Sequence, residues 1–395
     1  MVKVPVAEDL YWVGVVDWNL RDFHGYTTSR GGTYNSYLIT DEKKVLVDTV
    51  KNVFSSELVD KIRELTDPEE LDYVVINHIE QDHSSSFPEI MKLAKNATVI
   101  ATQRGKEGLI KHYGEIPNEI KTVKTGDEVK IGKRTLRFIE MPMIHWPDSM
   151  ATYMVEDGIL LSNDAFGQHF ATSQRFDDEV DEHFLMEELA KYFANILMPL
   201  TTLIARKIDE ITQMGIPLKM IAPSHGLIWR SNPSKVVRTY LDWCKGFLNK
   251  PKVVIVYDSM WGSTDKMARG ILEGVRRTGA EVKVMKLRIT ELADIVTEIL
   301  DAKAVVVGSP TLHNEIFPTV SGFMTYISGL RPKGKIWAFF GSYGWGGGAV
   351  KKMVQIANEA KFEVHEPTLE VKYIPTKEEL EKCIEFGKEI GSKVL

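Results

Sequence analysis

The chain has 395 residues, enough for two or three domains at about 150 residues each, and its 44% hydrophobic and 26% charged residues are the balance of a globular protein with sizeable cores. Its two cysteines, Cys244 and Cys383, are not in CxxC spacing, which excludes disulfide scaffolds, thiolate zinc sites and iron–sulfur clusters and suits a reducing, cytoplasmic setting. A net charge of −6 offers no basic footprint for nucleic acid, no apolar run reaches the roughly 18 residues of a membrane span, and residues 1–10 lack the apolar core of a signal peptide.

The first part of the chain has hairpin-like pairs. Ser36–Ile39 faces Lys44–Val47 around Thr40-Asp41-Glu42, Glu128–Ile131 faces Thr135–Ile139 around Gly132-Lys133, and Ala151–Val155 faces Ile159–Leu161 around Glu156-Asp157-Gly158. Helices interrupt these pairs, the longest predicted near Glu182–Met214, so mixed sheets with helices outside are expected. A helical pattern ends at Gly246-Phe247-Leu248-Asn249-Lys250-Pro251, and an apolar strand, Val253–Tyr257, starts just after it. Charge changes at the same place: residues 1–250 hold 29 Lys+Arg against 37 Asp+Glu, and residues 251–395 hold 20 against 18. Two domains, 1–249 and 250–395, are therefore expected.

Beyond that boundary strands and helices alternate. Lys252–Tyr257, Glu281–Leu287, Ala304–Gly308, Lys335–Phe340 and Glu370–Tyr373 have strand length and composition. Helical patterns follow them at Thr264–Thr278, Glu291–Leu300, Thr319–Ser328, Gly348–Ala360 and Lys377–Lys393. Such alternation predicts a doubly wound parallel α/β sheet, covered on both faces.

Asn77-His78-Ile79-Glu80-Gln81-Asp82-His83 follows the buried-type strand Tyr73–Ile76, and an irregular loop there can bring four metal ligands together. A solvated polar loop is the bland alternative. His145, Asp164 and His225 also each follow an apolar run, in Met143-Ile144-His145-Trp146-Pro147, Ser162-Asn163-Asp164-Ala165 and Pro223-Ser224-His225-Gly226. Seven ligands suit two metals. Four imidazoles and three carboxylates without thiolate fit zinc, manganese or iron, and the oxygen ligands lean toward the latter two.

Ser259-Met260-Trp261-Gly262-Ser263-Thr264 lies between a strand and a helix, where hydroxyls and backbone N–H groups form an anion site. It has neither GxxxxGK[ST] nor GxGxxG, which disfavours a P-loop nucleotidase and a dinucleotide fold. Two further loops leave strand ends in the same way: Gly308-Ser309-Pro310-Thr311-Leu312-His313-Asn314 and Gly341-Ser342-Tyr343-Gly344-Trp345-Gly346-Gly347-Gly348. Their glycines admit a flat ring, on which Trp261, Tyr343 or Trp345 can stack.

The order His-x-Glu-x-Asp-His, then His145 after 61 residues, Asp164 after 18 and His225 after 60, resembles the diiron motif of flavodiiron proteins. Glu80 stands where the related zinc hydrolases of the metallo-β-lactamase fold usually have His. By this resemblance His78, Glu80 and His145 would bind one iron, Asp82, His83 and His225 the other, and Asp164 would bridge them. The three C-terminal loops resemble the phosphate and isoalloxazine loops of flavodoxins, which implies FMN. The fold implied is a metallo-β-lactamase-like αββα sandwich over 1–249, followed by a flavodoxin-like doubly wound sheet over 250–395.

The resemblance further implies an oxidoreductase with two Fe and one FMN per chain that reduces O2 to water, NO to N2O, or both. It implies a head-to-tail homodimer, as such or as a dimer of dimers, in which one subunit's FMN faces the other's irons. Because the chain ends with a helix and no rubredoxin or flavin-reductase extension, a separate donor such as rubredoxin is expected; some relatives use a deazaflavin. Two other readings are a zinc hydrolase with a flavodoxin-like appendage and a plain electron carrier. His24, His169 and, taken singly, His313 read as surface or packed histidines, Trp146 as a pocket wall, and both cysteines as buried small hydrophobes on helices.

Overall fold

The computed structural model describes residues 4–395. The chain forms two compact units: one runs to Tyr192 and resumes over Thr202–Leu241, and the other comprises Phe193–Thr201 and Asp242–Leu395.

Among the described residues, the first unit carries two main sheets. One has seven strands in the order Val4–Ala7, Leu10–Trp12, Tyr37–Thr40, Lys44–Val47, Tyr73–Val75, Thr98–Ala101 and Ile120–Thr122. Its hairpin half is antiparallel, and its last three pairings are parallel. The other has Glu128–Lys130, Thr135–Glu140, Met150–Met154, Ile159–Asn163 and Met220–Pro223, with only the last pair parallel. Side chains on a strand alternate between faces. Val45, Val47, Val75 and Ile100 therefore pack against Leu136, Phe138, Met154 and Leu161 of the facing sheet. Leu46, Val74 and Val99 point the other way, into a layer with Leu58, Ile62, Ile90 and Leu109 from three helices. This is the metallo-β-lactamase-like sandwich.

The second unit has a parallel sheet in the order Glu281–Lys286, Lys250–Tyr257, Ala302–Leu312, Ile336–Tyr343, with an edge split into Glu363–Val364 and Leu369–Lys372. Val253, Ile255, Val306 and Phe340 pack on Met267, Ile271, Phe386 and Ile390. The helices Ser263–Thr278 and Lys377–Val394 lie backbone to backbone: a Cβ on Gly274 would collide with the Ile384 carbonyl, and one on Gly387 with that of Ile271.

Three expectations need correction. Glu182–Met214 is not one helix: Glu182–Tyr192 runs into a π-helical turn, Phe193–Leu197, and a 3-10 turn, Met198–Leu200, before Thr201–Gln213 begins. Pro199 donates no N–H and its ring excludes the carbonyl one turn earlier, so a regular helix cannot pass through it. Ser309–Leu312 and Ser342–Tyr343 are not loops but extensions of strands, the former held by a short antiparallel partner, Glu315–Ile316. Cys383 is buried, but Cys244 is only half-buried. No helix among the described residues is long and apolar enough to cross a membrane.

Candidate functional site

The seven ligand candidates converge at one end of the sandwich. His78, Glu80, Asp82 and His83 come from the first sheet, after Tyr73–Val75; Asp82 and His83 ride a one-turn helix, Gln81–Ser84, where an open loop was expected. His145, Asp164 and His225 follow strands of the second sheet. Asn163, with φ 55°, turns the chain so that Asp164 enters the site, a conformation that asparagine tolerates better than most residues.

Two groups result. One ligand atom each from His78, Glu80, His145 and Asp164 lie within 4.8 Å of one another, as do those of Asp82, His83 and His225. Asp164 faces both: Oδ1 is 3.0 Å from His83 Nε2 and 3.4 Å from His225 Nε2, and Oδ2 is 3.4 Å from His145 Nε2 and 3.7 Å from His78 Nε2. Asp82 Oδ2 sits 3.0 Å from His225 Nε2, and Glu80 Oε2 3.4 Å from His145 Nε2.

These atoms are close without satisfying one another. Both oxygens of Asp82 and of Asp164, and Nε2 of His83, His145 and His225, are buried with no hydrogen-bond partner. Burying so many unpaired polar atoms is costly unless a cation organises them. The outward nitrogens are held instead: His78 Nδ1 donates to Asp148 Oδ2 at 2.9 Å, and His225 Nδ1 to the Thr33 carbonyl at 2.7 Å. Fixing the proton on Nδ1 leaves the Nε2 lone pair for a metal. The charges concur. Burial works against ionisation of Asp164, yet His83, His145 and His225 hold its carboxyl well below the usual range. Burial would likewise lower the imidazoles, but Asp164 with Glu80 lifts His145 to about 9, and Asp164 with Asp82 lifts His225 to about 10. In the metal-free cluster the proton takes the place that a divalent cation would fill.

Sequence reasoning missed several neighbours. His24, read as a surface or packed histidine, places Nε2 2.6 Å from Glu80 Oε1. It sits in the tight turn between Asp22–Phe23 and Tyr26–Thr27, where no motif marks it. His169 is packed, as expected, but against the site: its ring centroid is 4.9 Å from that of His225. Asp148, three residues beyond His145, also accepts from the Ile79 N–H at 2.8 Å. Trp146 meets the His78 ring edge-on at 5.2 Å.

In the second unit, a cleft of 320 Å³ opens at the C-terminal edge of the parallel sheet, lined by Ser259, Met260, Trp261, Ser263, Pro310, Thr311, Ser342, Tyr343 and Gly344. Tyr373 and Ile374, after the last strand, also line it and were not anticipated. Thr264 lies behind the lining, its Oγ1 2.9 Å from Ser342 Oγ, and the Gly262 N–H donates to Ser259 Oγ at 3.0 Å. Gly262, with φ 89°, lets the chain turn into the helix. Ser309 turns its hydroxyl inward, accepting from the Phe317 N–H. Leu312, His313, Asn314, Trp345, Gly346 and Gly347 are outside the lining; Trp345 projects into solvent, 91% exposed.

The fold and the site together define a class: a β-lactamase-type sandwich with a paired His/carboxylate cluster, joined to a flavodoxin-type sheet with an open cleft. A family model described as ODP family beta lactamase matches residues 33–226, and the flavodoxin model matches residues 255–387. The chain is 50% identical to the nitric oxide reductase of Moorella thermoacetica, over 99% of this chain and 98% of that one. Two solved structures superpose with a TM-score of 0.97 at 37% identity. One is the rubredoxin oxygen:oxidoreductase of Desulfovibrio gigas, with 100% of this chain and 98% of that one covered, and the other is the flavodiiron protein of Giardia intestinalis, with 100% and 97%. The chain belongs to the flavodiiron protein family.

Proposed function

We propose that this protein is an oxidoreductase that reduces NO to N2O, O2 to water, or both, at a non-haem diiron centre supplied with electrons through FMN. The balances are two NO with two electrons and two protons to N2O and water, and O2 with four electrons and four protons to two waters. The observation that carries the reading is the set of buried, unpaired Nε2 and carboxylate atoms arranged on both sides of Asp164. When bound, the irons supply open coordination positions for a gas, and the flavin supplies electrons singly or in pairs.

The chain's residues do the rest. His78, Glu80 and His145 would hold one iron and Asp82, His83 and His225 the other, with Asp164 between them. Three carboxylates offset most of the charge of two divalent ions. Asp148 and the Thr33 carbonyl fix two imidazoles, and Trp146 packs edge-on against the His78 ring. For FMN, the N-terminus of Ser263–Thr278 with the Ser259, Ser263 and Ser342 hydroxyls would hold the phosphate, Thr264 would orient Ser342 from behind, and Trp261, Tyr343 and Tyr373 would flank the ring.

The same reading divides the chain functionally near residue 250. It extends to a cytoplasmic head-to-tail homodimer, as such or paired into a tetramer, and to a small donor protein such as rubredoxin; family membership supports each. The hydrolase reading is not favoured, because the relatives are named for reductions. Protein made in iron-replete, zinc-poor medium should carry two irons and one FMN per chain by elemental analysis and absorbance. Two zincs that iron cannot displace would overturn the proposal.

A further inference from the structure

Asp48 is fully buried, and its carboxylate is bonded to residues that directly precede ligand candidates in the chain. It follows the strand Lys44–Val47 and adopts φ 56°, a conformation a non-glycine residue rarely takes without support. The support is present: its N–H donates to the Val75 carbonyl at 2.8 Å, and its carbonyl accepts from Ser36 Oγ at 2.8 Å. So held, its carboxylate faces the ligand-bearing edges of both sheets. Oδ1 accepts from the Asn77 N–H at 2.7 Å, and Oδ2 accepts from Asn77 Nδ2 at 3.0 Å and from Ser224 Oγ at 3.4 Å. Ser224 Oγ in turn accepts from Asn163 Nδ2 at 3.2 Å.

Asn77, Asn163 and Ser224 directly precede His78, Asp164 and His225. The first belongs to one sheet and the other two to its partner, so a single carboxylate joins three ligand positions across the sandwich. Thr49, the next residue, holds a fourth: its N–H and its Oγ1 both donate to the His83 carbonyl, at 2.8 and 2.7 Å.

We propose that Asp48 is a positioning residue of the metal centre, whose carboxylate sets the spacing between the ligand-bearing strand ends of the two sheets. This rests on the diiron reading above. The chemistry of the position is specific. Every group facing the carboxylate is a donor, so only an acceptor fits. The Asn77 amide is oriented by Thr152 Oγ1, which donates to Asn77 Oδ1 at 2.8 Å, leaving Nδ2 to face Asp48. An amide at position 48 must turn its own NH2 toward one of the two Asn77 donors, and the join opens.

Exchanging the polarities of positions 48 and 77 offers a rescue. In D48N/N77D the new amide can accept from the backbone N–H of position 77 and donate to the new carboxylate there. Thr152 keeps its acceptor, Ser224 exchanges donating to position 48 for accepting from its new amide, and the total charge is unchanged. The experiment measures iron affinity by chelator competition, the electron paramagnetic resonance spectrum of the half-reduced iron pair, and FMN content, on the full chain. D48N is expected to bind iron at least about tenfold more weakly, as for other residues that orient metal ligands, with an altered spectrum and wild-type FMN. D48N/N77D is expected to restore both iron readouts. Two tightly held irons with a wild-type spectrum in D48N would overturn the proposal, and so would a double variant that folds, keeps FMN and fails to recover. Should D48N not fold, Thr152→Val, which frees the Asn77 amide to rotate, carries the test: an altered spectrum is expected, and a wild-type one contradicts the role. If the wild-type protein itself takes up no iron, it is the diiron reading that fails.

Discussion

Asp164 and its four imidazoles show how little of a metal centre resides in the ligands alone. Nε2 of His78 is directed because Nδ1 is committed to Asp148. Asp148→Ala should therefore lower iron affinity by roughly 10- to 100-fold with FMN unchanged; chelator competition measures it, and wild-type affinity would remove Asp148 from the account. The imidazoles also predict a pH dependence. In the metal-free protein His145 and His225 titrate at about 9 and about 10, above the ordinary imidazole value of about 6.5. Raised bases stabilise the folded state fully below their unfolded pKa and lose that contribution as pH climbs through the folded one. Metal-free protein should accordingly lose thermal stability between about pH 6.5 and 10. Iron uptake near pH 7.5 should release protons, and iron affinity should rise with pH across the same range. Iron-loaded protein, with metal in place of those protons, should show a flatter stability profile. Thermal melts of both forms, with an indicator dye during iron addition, check each sign.

The convergence of the seven candidate ligands was legible in the sequence because the groups follow recognisable apolar runs and four fall within six residues. The places of Asp48, Asp148 and His24 were not legible, because their partners are distant in the chain and no periodicity marks a hydrogen bond to a candidate ligand or to the residue beside one.

At the level of elements, a short apolar run beside a turn made Lys44–Val47 readable, and it is apolar because it sends side chains into two different cores. What escaped was set by tertiary contact. Phe193–Leu197 widens into a π-turn whose Asn195 donates to the Ala293 carbonyl at 3.2 Å, a bond invisible to local pattern. The crossing of Ser263–Thr278 and Lys377–Val394 depends on glycines that leave no room for a methyl group. Gly387→Ala should cost about 1–3 kcal/mol through overpacking, read as a shift in the urea midpoint of the second unit, with iron content unchanged. A neutral result would show that the helices separate freely. In the cleft, Thr264→Val removes the partner of Ser342 Oγ and should weaken FMN binding by about 3- to 10-fold, the worth of one neutral hydrogen bond. Fluorescence titration of flavin-free protein measures it, and unchanged affinity would place the phosphate elsewhere.

At the scale of the whole molecule, two sites of different chemistry lie in two separate compact units. The sandwich holds ligands suited to a gas-binding metal pair, and the parallel sheet holds a cleft suited to a flavin. The second unit's doubly wound sheet was visible from its strand–helix alternation, whereas the first unit's pattern gave only mixed sheets and its sandwich followed from the family resemblance; joint function rests on electrons passing from one cofactor to the other. The most direct measurement is rapid mixing of the fully reduced, iron- and flavin-loaded protein with NO, and separately with O2. Flavin absorbance is followed in time and the products are quantified. Flavin reoxidation within the catalytic turnover is expected, with one N2O per two NO consumed or two waters per O2 without released peroxide. A flavin that reoxidises equally fast after the irons are removed, giving peroxide from O2 and no N2O from NO, would contradict it.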